Sequence, residues 1–545
     1  MTERISCDDK SIYITVNLRD ALVQARSKLE PRALWVDSIC INQEDREEKG
    51  LQVALMAEIY RKSSCTVICL GQNDAEAHAV AAAGLLADVN AMMDRVLQHK
   101  GFSWEPDSFP VPDPDDPLLS DARWESVAIL TGQPWFRRGW VVQEAALGPD
   151  ARILWGDVEI DWLQFLRAYS WVHHRAITIH FRVFGDRSIS WLHLMPFHLR
   201  RKQETITTRP AGHDPSLTML QVLDCARVLS VTDARDRVYA CLGLPNSTPR
   251  PPELMPTYYG THLEVYREFA CEYLQSTHMD LDILLFTQHD EETLSDAEFG
   301  SWIPRWHLHY SASLFRNNIR PVAPLSSHAS SGARRPSLVD QNTLKVQGVR
   351  IGTVRFASEL FLYHSTDIET VKHVWQDATS TSSGRNEELN YNSHASTLEA
   401  MIQTLTAGNY RGSLEAWAEK ESEYADFLQA EDGIKSEIPV GVSEVHETLL
   451  QTAHNRKLIV TDRGHYGLAP LTTRAGDAVY VIIGAKMVFK LRGTERDHHY
   501  RFVGDSYMLS KARPEDFKLL KPLGFNEKFD DWVNWGLEEE DIYLC

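Results

Sequence analysis

Hydrophobic residues in the first 71 positions alternate between short apolar runs and a helical period. "SIYITV" at 11–16 and "CTVICLG" at 65–71 have the composition of strands, and "ALWVDSICI" at 33–41 is typical of a strand buried on both faces. Residues 47–64 carry apolar side chains at helical spacing: Leu51, Leu55, Met56, Ile59 and Tyr60. Strand, helix and strand in this order predict a parallel sheet with a right-handed crossover.

Further along, the apolar period stays helical. Residues 74–100, 118–131 and 135–147 predict three helices, and "ARILWGDVEI" then predicts a hairpin. Near the start, Asn17 is expected to cap a helix that comes after the first strand. We therefore expect an α/β domain over residues 1–180, and after it a mainly helical region over 181–323.

From residue 341 the hydrophobic period changes from helical to alternating. Segments such as "TLKVQGVRIGTVRF" and "DAVYVIIGAKMVFKLR" predict paired strands, with Gly464 and Gly484 at tight turns. A helical stretch, 398–455, is inserted between the first strands and the others. The sequence thus predicts a polar linker at 324–340, a small antiparallel barrel-like domain at 341–520 and a solvated acidic tail at 521–545.

Composition and charge narrow the class of protein. The chain has 545 residues, 43% of them hydrophobic, and a formal net charge of −20, which argues against a nucleic acid or an anionic membrane as its main partner. Its eight cysteines lie mostly in apolar segments, as is typical of reduced thiols in a cytoplasmic protein. The opening residues have no apolar signal-peptide core, and the longest apolar run is too short to span a bilayer.

The segment "PWFRRGWVVQEAALG", residues 134–148, places a single acid in an apolar run. If 135–147 is one helix, Phe136, Trp140 and Glu144 lie at steps of four and share a face. A carboxylate in such a setting is costly unless it is paired or functional. The chain has no glycine-rich nucleotide loop, HExxH motif or GxSxG elbow, so we predict no bound metal or cofactor.

Four segments resemble one family. "LWVDSICINQEDREEKGLQVALMAEIYRKSSCTVICLG" (34–71) closely resembles the hallmark of the fungal heterokaryon-incompatibility (HET) domain, and "PWFRRGWVVQEAAL" and "VTDARDRVYACLGL" (231–244) resemble its later motifs. "NRKLIVTDRGHYGLAPLTTRAGDAVYVIIGAKMVFKLR" (455–492) resembles the C-terminal region of many long HET proteins. The resemblance implies fungal self/non-self recognition, in which fusion of incompatible cells triggers regulated cell death through protein partners.

HET domains are also similar to TIR domains, small flavodoxin-like folds of which some cleave NAD⁺ with a glutamate on a "WxxxE" helix. Trp140 and Glu144 have that spacing. The resemblance therefore implies NAD⁺ as a substrate and Glu144 as the catalytic residue, because a carboxylate stabilises the positive charge that develops on the ribose. The residues implied as binding residues are Trp140, Arg137, Arg138, Asp37, Asn42 and Gln43.

Glu144 and Trp140 also have structural interpretations. Glu144 can instead form an ion pair with Arg137 or Arg138. The sequence favours this structural interpretation and a catalytic role about equally. Trp140 is expected to pack in the core more than to contact a ligand, because aromatic residues at helical spacing usually pack.

The residues around Asp37 have structural interpretations as well. Asp37 needs a partner if it lies within an apolar strand. Asn42 and Gln43 can cap the next helix, and Cys40 is expected to be an inert buried thiol. The charges of "DARDRVY" are expected to be structural.

One departure from the family affects the function. HET domains usually begin with a strand resembling "YxALSYxWG", whereas "SIYITVNLRDAL" matches only the part of the domain that lies after that strand. In a flavodoxin-like sheet the missing strand lies between the second and third, and its absence would leave backbone groups of both unpaired. The sequence is therefore expected to start upstream of this chain's first residue, to move "SIYITV" into the place of the missing strand, or to be a degenerate copy of the domain. The sequence leaves three functions open: an NAD⁺ hydrolase, a non-catalytic module that signals by self-association, and a truncated, inactive paralogue.

Overall fold

The computed structural model describes residues 2–7, 9–26, 30–71, 76–97, 108–184, 218–244, 254–308, 336–380, 397–409, 413–430, 438–509 and 537–545. The chain forms two compact units, Met1–Val265 and Tyr266–Cys545. Their boundary falls inside the stretch 181–323, for which the sequence predicts one helical region. That stretch is divided because Ser230 and Asp236 bond to the segment around residues 137–140, within the first unit.

The first unit begins with an antiparallel hairpin. β1 (Thr2–Cys7) pairs with β2 (Lys10–Thr15) along their full length. Thr15, and not Asn17, caps α1 (Val16–Ala25) by accepting a backbone hydrogen bond at 3.2 Å. The prediction of a strand at "SIYITV" is confirmed, but this strand pairs with β1 and does not fill the place of the missing strand.

Residues 33–41 do not form the predicted buried strand. The four-residue helix α2 (Asp37–Cys40) lies in this stretch, the residues before it are irregular, and Leu34 is 42% exposed. Backbone bonding is local here, since the amides of residues 39 and 40 donate to the carbonyl of Val36 at 3.0 and 2.8 Å. A short apolar run predicts a strand only when a neighbouring strand can pair with it, and none does here among the described residues.

A three-stranded sheet lies in the first unit. β3 (Thr66–Cys69) pairs in parallel with β4 (Ala151–Trp155), which pairs antiparallel with β5 (Val158–Asp161). The strand "CTVICLG" and the hairpin "ARILWGDVEI" are therefore confirmed. The predicted right-handed crossover is wrong, because 33–41 is not a strand. In the described part of the unit, the expected parallel sheet is a single parallel pair, β3 and β4.

Helices surround this sheet, and the predicted ones at 47–64 and 74–100 are present. A 3-10 turn at Pro117–Ser120 precedes the helix predicted at 118–131. The α-helices after α2, through the start of the second unit, are α3 (Arg46–Lys62), α4 (Glu76–Leu97), α5 (Trp124–Thr131), α6 (Val141–Leu147), α7 (Trp162–Arg175), α8 (Ile177–Ile179), α9 (Met219–Ala226), α10 (Asp236–Tyr239), α11 (His262–Ser276) and α12 (Glu291–Ser295). A π-helical turn at His180–Phe184 comes directly after α8, and a 3-10 helix at Leu281–Phe286 precedes α12.

The predicted helix at 135–147 is broken into two pieces. A 3-10 turn at Pro134–Arg137 ends before Arg138, and α6 starts only at Val141. The interruption has a tertiary cause: Ser230 donates to the carbonyl of Arg137 at 2.6 Å and accepts from the amide of Gly139 at 2.8 Å. These bonds occupy backbone groups that a continuous helix would use internally.

Local capping stabilises α3, but not all of the apolar side chains that predicted the helix are buried. Asp45 caps the helix by accepting the amides of Glu47 and Glu48, and Arg61 and Lys62 lie at its C-terminal end, which favours the helix dipole. The buried positions of the helix are Gly50, Val53 and Met56, whereas Leu51 and Leu55 are 54% and 52% exposed.

The second unit contains the predicted antiparallel barrel-like sheet. Its strands are β6 (Ser337–Leu338), β7 (Leu344–Ala357), β8 (Arg456–Thr461), β9 (Tyr466–Pro470), β10 (Ala478–Ile482), β11 (Val488–Gly493), β12 (His499–Met508) and β13 (Glu540–Leu544). "TLKVQGVRIGTVRF" forms the single long strand β7 and not a pair, and the pairing β10–β11–β12–β13–β7–β10 closes the sheet. Gly464 and Gly484 have φ angles of 75° and 86°, so the predicted turns are confirmed.

The prediction of a solvated acidic tail at 521–545 is wrong for its last residues, because β13 is an inner strand of the sheet. It pairs antiparallel with β7 and in parallel with β12, and Ile542 and Leu544 are fully buried. Its acids are paired: Glu540 accepts from Tyr480 at 2.8 Å, and Asp541 contacts Lys345 at 2.7 Å. The alternation of apolar and polar side chains in "EDIYL" fits a strand with one buried face.

Helices are inserted between β7 and β8, as predicted, but they begin earlier than residue 398. They are α13 (Ile368–Ser380), α14 (Thr397–Leu405), α15 (Leu414–Gln429) and α16 (Val440–Ala453). Their apolar faces share one core with strands β8 and β9. Residues 324–335 of the predicted linker lie outside the described residues. In the remainder of the linker, Ser337–Leu338 pairs with β7 as strand β6.

A buried carboxyl connects two of these helices. Glu421 on α15 is 3% exposed, and its oxygens accept from the indole of Trp417 at 2.9 Å, from Gln403 at 3.3 Å and from Thr406 at 3.4 Å. All three donors are neutral. Burial raises the pKa of Glu421 to about 7.

Glu421→Gln is expected to remove a pH dependence of stability. Because the folded pKa of about 7 exceeds the unfolded value, the wild-type chain is most stable below that unfolded value and loses stability as the pH rises toward 8. The variant should therefore match the wild type at about pH 4, below the unfolded pKa, and exceed its free energy of unfolding by roughly 3 kcal/mol at about pH 8. Urea denaturation at both pH values measures this. Glu419→Gln, an exposed acid on the same helix, is the control, and parallel pH profiles of wild type and Glu421→Gln would contradict the assignment.

Candidate functional site

Glu144 lies on α6 and is largely buried. Its side chain is 14% exposed, and its Oε2 accepts a hydrogen bond from the indole N–H of Trp135 at 2.8 Å. Trp135 belongs to the 3-10 turn before the break at Gly139. The break therefore turns Trp135 back onto the acid, which a continuous helix would not do.

An arginine lies on the other side of the carboxyl. The guanidinium of Arg138 is 4.0 Å from Glu144 Oε1 and is 53% exposed. This distance is too long for a hydrogen bond, so the pair is a weak one. The predicted ion pair thus forms with Arg138. Arg137 is exposed, and its described contact is the backbone bond to Ser230.

Asp37 and Tyr60 complete the surroundings of Glu144. Burial raises the pKa of Glu144, and the charge of Asp37 raises it further, whereas Arg138 and the Trp135 hydrogen bond lower it. Burial also raises the pKa of Tyr60, and the charges of Glu144 and Asp37 add to this effect. We call these five residues, Asp37, Tyr60, Trp135, Arg138 and Glu144, the Glu144 cluster.

Trp140 lies outside the Glu144 cluster. Its indole donates to Asp236 Oδ2 at 3.2 Å, and Tyr258 donates to the other oxygen of the same carboxylate at 2.7 Å. Phe136 packs against Phe165 at 5.6 Å between ring centroids. The prediction that Phe136, Trp140 and Glu144 share one helix face is therefore wrong, and Trp140 has the structural role that its spacing favoured.

Asn42 and Gln43 lie near Asp37 but do not cap α3. The side chain of Gln43 donates to the carbonyl of Asp37 at 3.4 Å, and Asn42 accepts the amide of Glu44 at 3.2 Å. Both residues are exposed, and the cap is Asp45. Cys40 is exposed as well, so its prediction as a buried thiol is wrong. The reason is that α2 replaces the strand in which these residues were expected.

The "DARDRVY" charges are structural, although not as neighbours along a helix. Arg235 pairs with Asp233 at 2.7 Å, and Arg237 donates to the backbone carbonyl of Arg227 at 2.6 Å. Asp236 accepts the indole hydrogen bond of Trp140. The bond between Asp236 and Trp140 attaches the 233–239 segment to the residues that precede α6.

Sequence reasoning missed Trp135 and Tyr60. Trp135 was visible inside the motif at 134–148, but helical spacing separates it from Glu144, and only the break at Gly139 brings the two together. Tyr60 was counted among the apolar positions of α3, and nothing in its spacing indicates a polar role. Its ring packs edge-on against Trp35 at 5.9 Å.

The Glu144 cluster combines a buried carboxyl with a half-exposed guanidinium, and each group has its own chemical use. Burial makes the Glu144 carboxyl a weaker acid than an exposed glutamate, and in its ionised form it stabilises a nearby positive charge. The half-exposed arginine beside it is suited to bind an anionic group. Among the described residues there is no group of three or more His, Cys, Asp or Glu side chains placed to hold a metal ion.

A small cavity lies in the second unit. Its volume is about 20 Å³, which is room for about one water molecule, and His289, buried at 1% exposure, is one of its walls. The other lining residues are Thr287, Gln288, Asn455, Arg456, Pro470, Leu471 and Asp505. None of the residues proposed from the sequence lines this cavity.

Two family models match the chain. The model described as "Heterokaryon incompatibility protein (HET)" matches residues 1–144, and the one described as "Het-6 beta-barrel domain" matches residues 372–510. The first match includes every member of the Glu144 cluster. The second begins within α13 and covers the other inserted helices and strands β8 to β12, whereas β7 and β13, which close the sheet, lie outside it.

A curated relative supports both matches. The chain is 24% identical over 378 residues to "Heterokaryon incompatibility protein 6, OR allele" of Neurospora crassa, an alignment that covers 60% of this chain and 52% of the relative. The chain thus spans about half the length of that relative. No solved structure matches. In the described part of the chain, no helix combines the length and apolar character needed to cross a bilayer.

Proposed function

Because the chain is a fungal HET-domain protein, we propose that it acts in heterokaryon incompatibility and that its HET domain promotes regulated cell death. The match of residues 1–144, the barrel-domain match and the name of the Neurospora crassa relative support this role. We place the action in the cytoplasm, in agreement with the thiols at Cys40, Cys65 and Cys69, which form no disulfide.

For the chemistry, we propose that the Glu144 cluster hydrolyses NAD⁺ to nicotinamide, ADP-ribose and a proton. One observation carries this proposal: a largely buried carboxyl has one oxygen fixed by Trp135, while the other faces a half-exposed arginine 4.0 Å away. The fixed carboxylate is oriented to stabilise the positive charge on the ribose as the nicotinamide leaves with the bonding electrons. Water then adds to the ribose carbon and releases the proton.

We propose that two arginines, Arg137 and Arg138, bind the dinucleotide. Arg138, beside Glu144, and Arg137, exposed next to it, are suited to the pyrophosphate because guanidinium groups form paired hydrogen bonds with phosphate oxygens. We propose that Asp37, Gln43 and Asn42 form one rim of the site, which is supported by the bond of Gln43 to the Asp37 carbonyl and by the position of Asn42 next to Gln43. Trp140 has no part in this proposal, since its indole is bound to Asp236.

Glu144→Gln tests this chemistry. Glutamine has the same shape and can still accept the Trp135 hydrogen bond, so the fold should persist while nicotinamide release from NAD⁺ falls at least about a hundredfold. Purified full-length chain with NAD⁺, with chromatography of the nicotinamide released, measures the rate. Glu159→Gln, an exposed acid on β5, is the control. Equal nicotinamide release by wild type and Glu144→Gln would overturn the hydrolase proposal.

A second candidate is a non-catalytic signalling module. It is favoured by the structural partners of Glu144 and Trp140 and by the exposed leucines Leu51 and Leu55 on α3. Cell death on expression in a fungal host that persists in Glu144→Gln, without loss of NAD⁺, would support it. Absence of death and of nicotinamide release in the wild type would support an inactive paralogue.

A further inference from the structure

The solvent face of α3 carries an apolar centre. Leu51 and Leu55 are 54% and 52% exposed, and Ala54 between them is also exposed. Positions four residues apart lie on one face of a helix, so the two leucines are adjacent. The opposite face packs inward through Val53 and Met56, which are 7% and 4% exposed. The leucines are therefore not needed to attach the helix to its own unit.

Charges of opposite sign flank this apolar centre. The N-terminal end of the face carries acids at Glu47 and Glu48, with Glu44 in the turn just before the helix, and the C-terminal end carries Arg61 and Lys62. Lys62 is 80% exposed. Such a face is complementary to an antiparallel copy of itself, because the acidic end of each helix then lies against the basic end of the other. Parallel pairing would place like charges together.

We propose that α3 is a self-association surface on which a second copy of this chain docks, with the two helices antiparallel. The two-fold axis lies near Val53, so that Leu51 of one copy packs against Leu55 of the other, and this contact occurs twice. Glu44 and Lys62 are equally distant from residue 53 along the chain, and they face each other between the two copies.

The remaining acid of this face does not oppose the arrangement. Glu58 lies close to the Glu48 position of the other copy, but it is already paired with Arg61 at 2.6 Å and with Lys62 at 3.8 Å. The contact is a single helix pair and therefore small, so the dimer is weak and depends on protein concentration. This inference deepens the proposed signalling role, but it is tested by the oligomeric state alone.

Sedimentation velocity of the full-length chain over a range of concentrations tests the proposal. We expect a monomer–dimer equilibrium that weakens at high salt. Leu55→Asp should raise the dimer dissociation constant at least about tenfold, because a charge would be placed in the apolar centre of the contact. Val80→Asp, at a residue 60% exposed on α4, is the matched control and should leave the equilibrium unchanged.

A charge exchange tests the antiparallel register. Glu44→Lys and Lys62→Glu should each weaken the dimer, and the double variant should restore it, because the exchanged charges meet again between the copies. Circular dichroism checks that every variant is folded. A wild-type chain that stays monomeric, a dimer indifferent to Leu55→Asp, or a double variant as weak as the single ones would overturn the proposal. Nicotinamide release by a monomeric wild type would overturn this inference and leave the hydrolase proposal standing.

Discussion

Deletion of residues 540–545 is expected to unfold the C-terminal barrel-like sheet. This deletion removes β13, which joins β7 to β12, and with it the fully buried side chains Ile542 and Leu544. Loss of each large buried aliphatic side chain costs about 2–5 kcal/mol, so the two together approach the whole stability of a typical domain, about 5–15 kcal/mol. The backbone groups of β7 also lose their partners.

Hydrogen exchange measures this effect where it occurs. Amides of β7 and β12 should lose their protection in the shortened chain, whereas peptides from β3 to β5 provide an internal reference. The control removes acid without removing the strand: Glu538→Gln with Glu539→Gln changes two exposed residues just before β13. If the shortened chain keeps the protection of β7, then β13 does not contribute as an inner strand.

Asp505→Asn is expected to destabilise the same unit by about 3–5 kcal/mol, because it removes the carboxylate that pairs with a buried arginine. Arg456 and Asp505 are 2% and 3% exposed, and their side chains meet at 2.8 Å. Arg456 also donates to the backbone carbonyl of Asp505 at 3.1 Å. The same carboxylate favours the charged form of Lys490, whose pKa burial lowers to about 7. The substitution therefore removes compensation from two buried cations.

Urea denaturation of the full-length chain measures this loss, and hydrogen exchange of β8 and β12 locates it. Glu444→Gln is a matched control, since Glu444 pairs with Lys420 at a partly exposed site, 35% and 31% exposed, and should change stability by less than about 1 kcal/mol. Replacing both members, Arg456→Met with Asp505→Leu, should recover much of the loss, because no charge is then buried alone. A loss in Asp505→Asn no greater than in the control would contradict the assignment.

Much of the candidate site could be found from the sequence, but its geometry could not. The motif around residue 144 identified Glu144 and Arg138, and both belong to the cluster that the structure forms. Trp140 was selected by its spacing from the acid, yet the break at Gly139 directs Trp140 to Asp236 and brings Trp135 to Glu144 instead. The break depends on Ser230, which is distant in sequence, so no local pattern predicts it.

The sequence by itself determined the elements whose signals are local. Helical spacing predicted α3 and α4, tight-turn glycines predicted the turns at 464 and 484, and alternation predicted strands β7 to β12. Long motifs were sufficient for the family. Each of these features depends on residues within a few turns or one hairpin of each other.

Only the tertiary structure decided which strands pair and which apolar runs are buried. The run at 33–41 remains irregular and helical because no strand pairs with it in the described part of the chain, whereas the acidic end of the chain is an inner strand because β7 and β12 pair with it on both sides. A strand is stable only when its backbone groups find partners, and those partners lie far away in the chain. Its burial is therefore a property of the fold and not of its own composition.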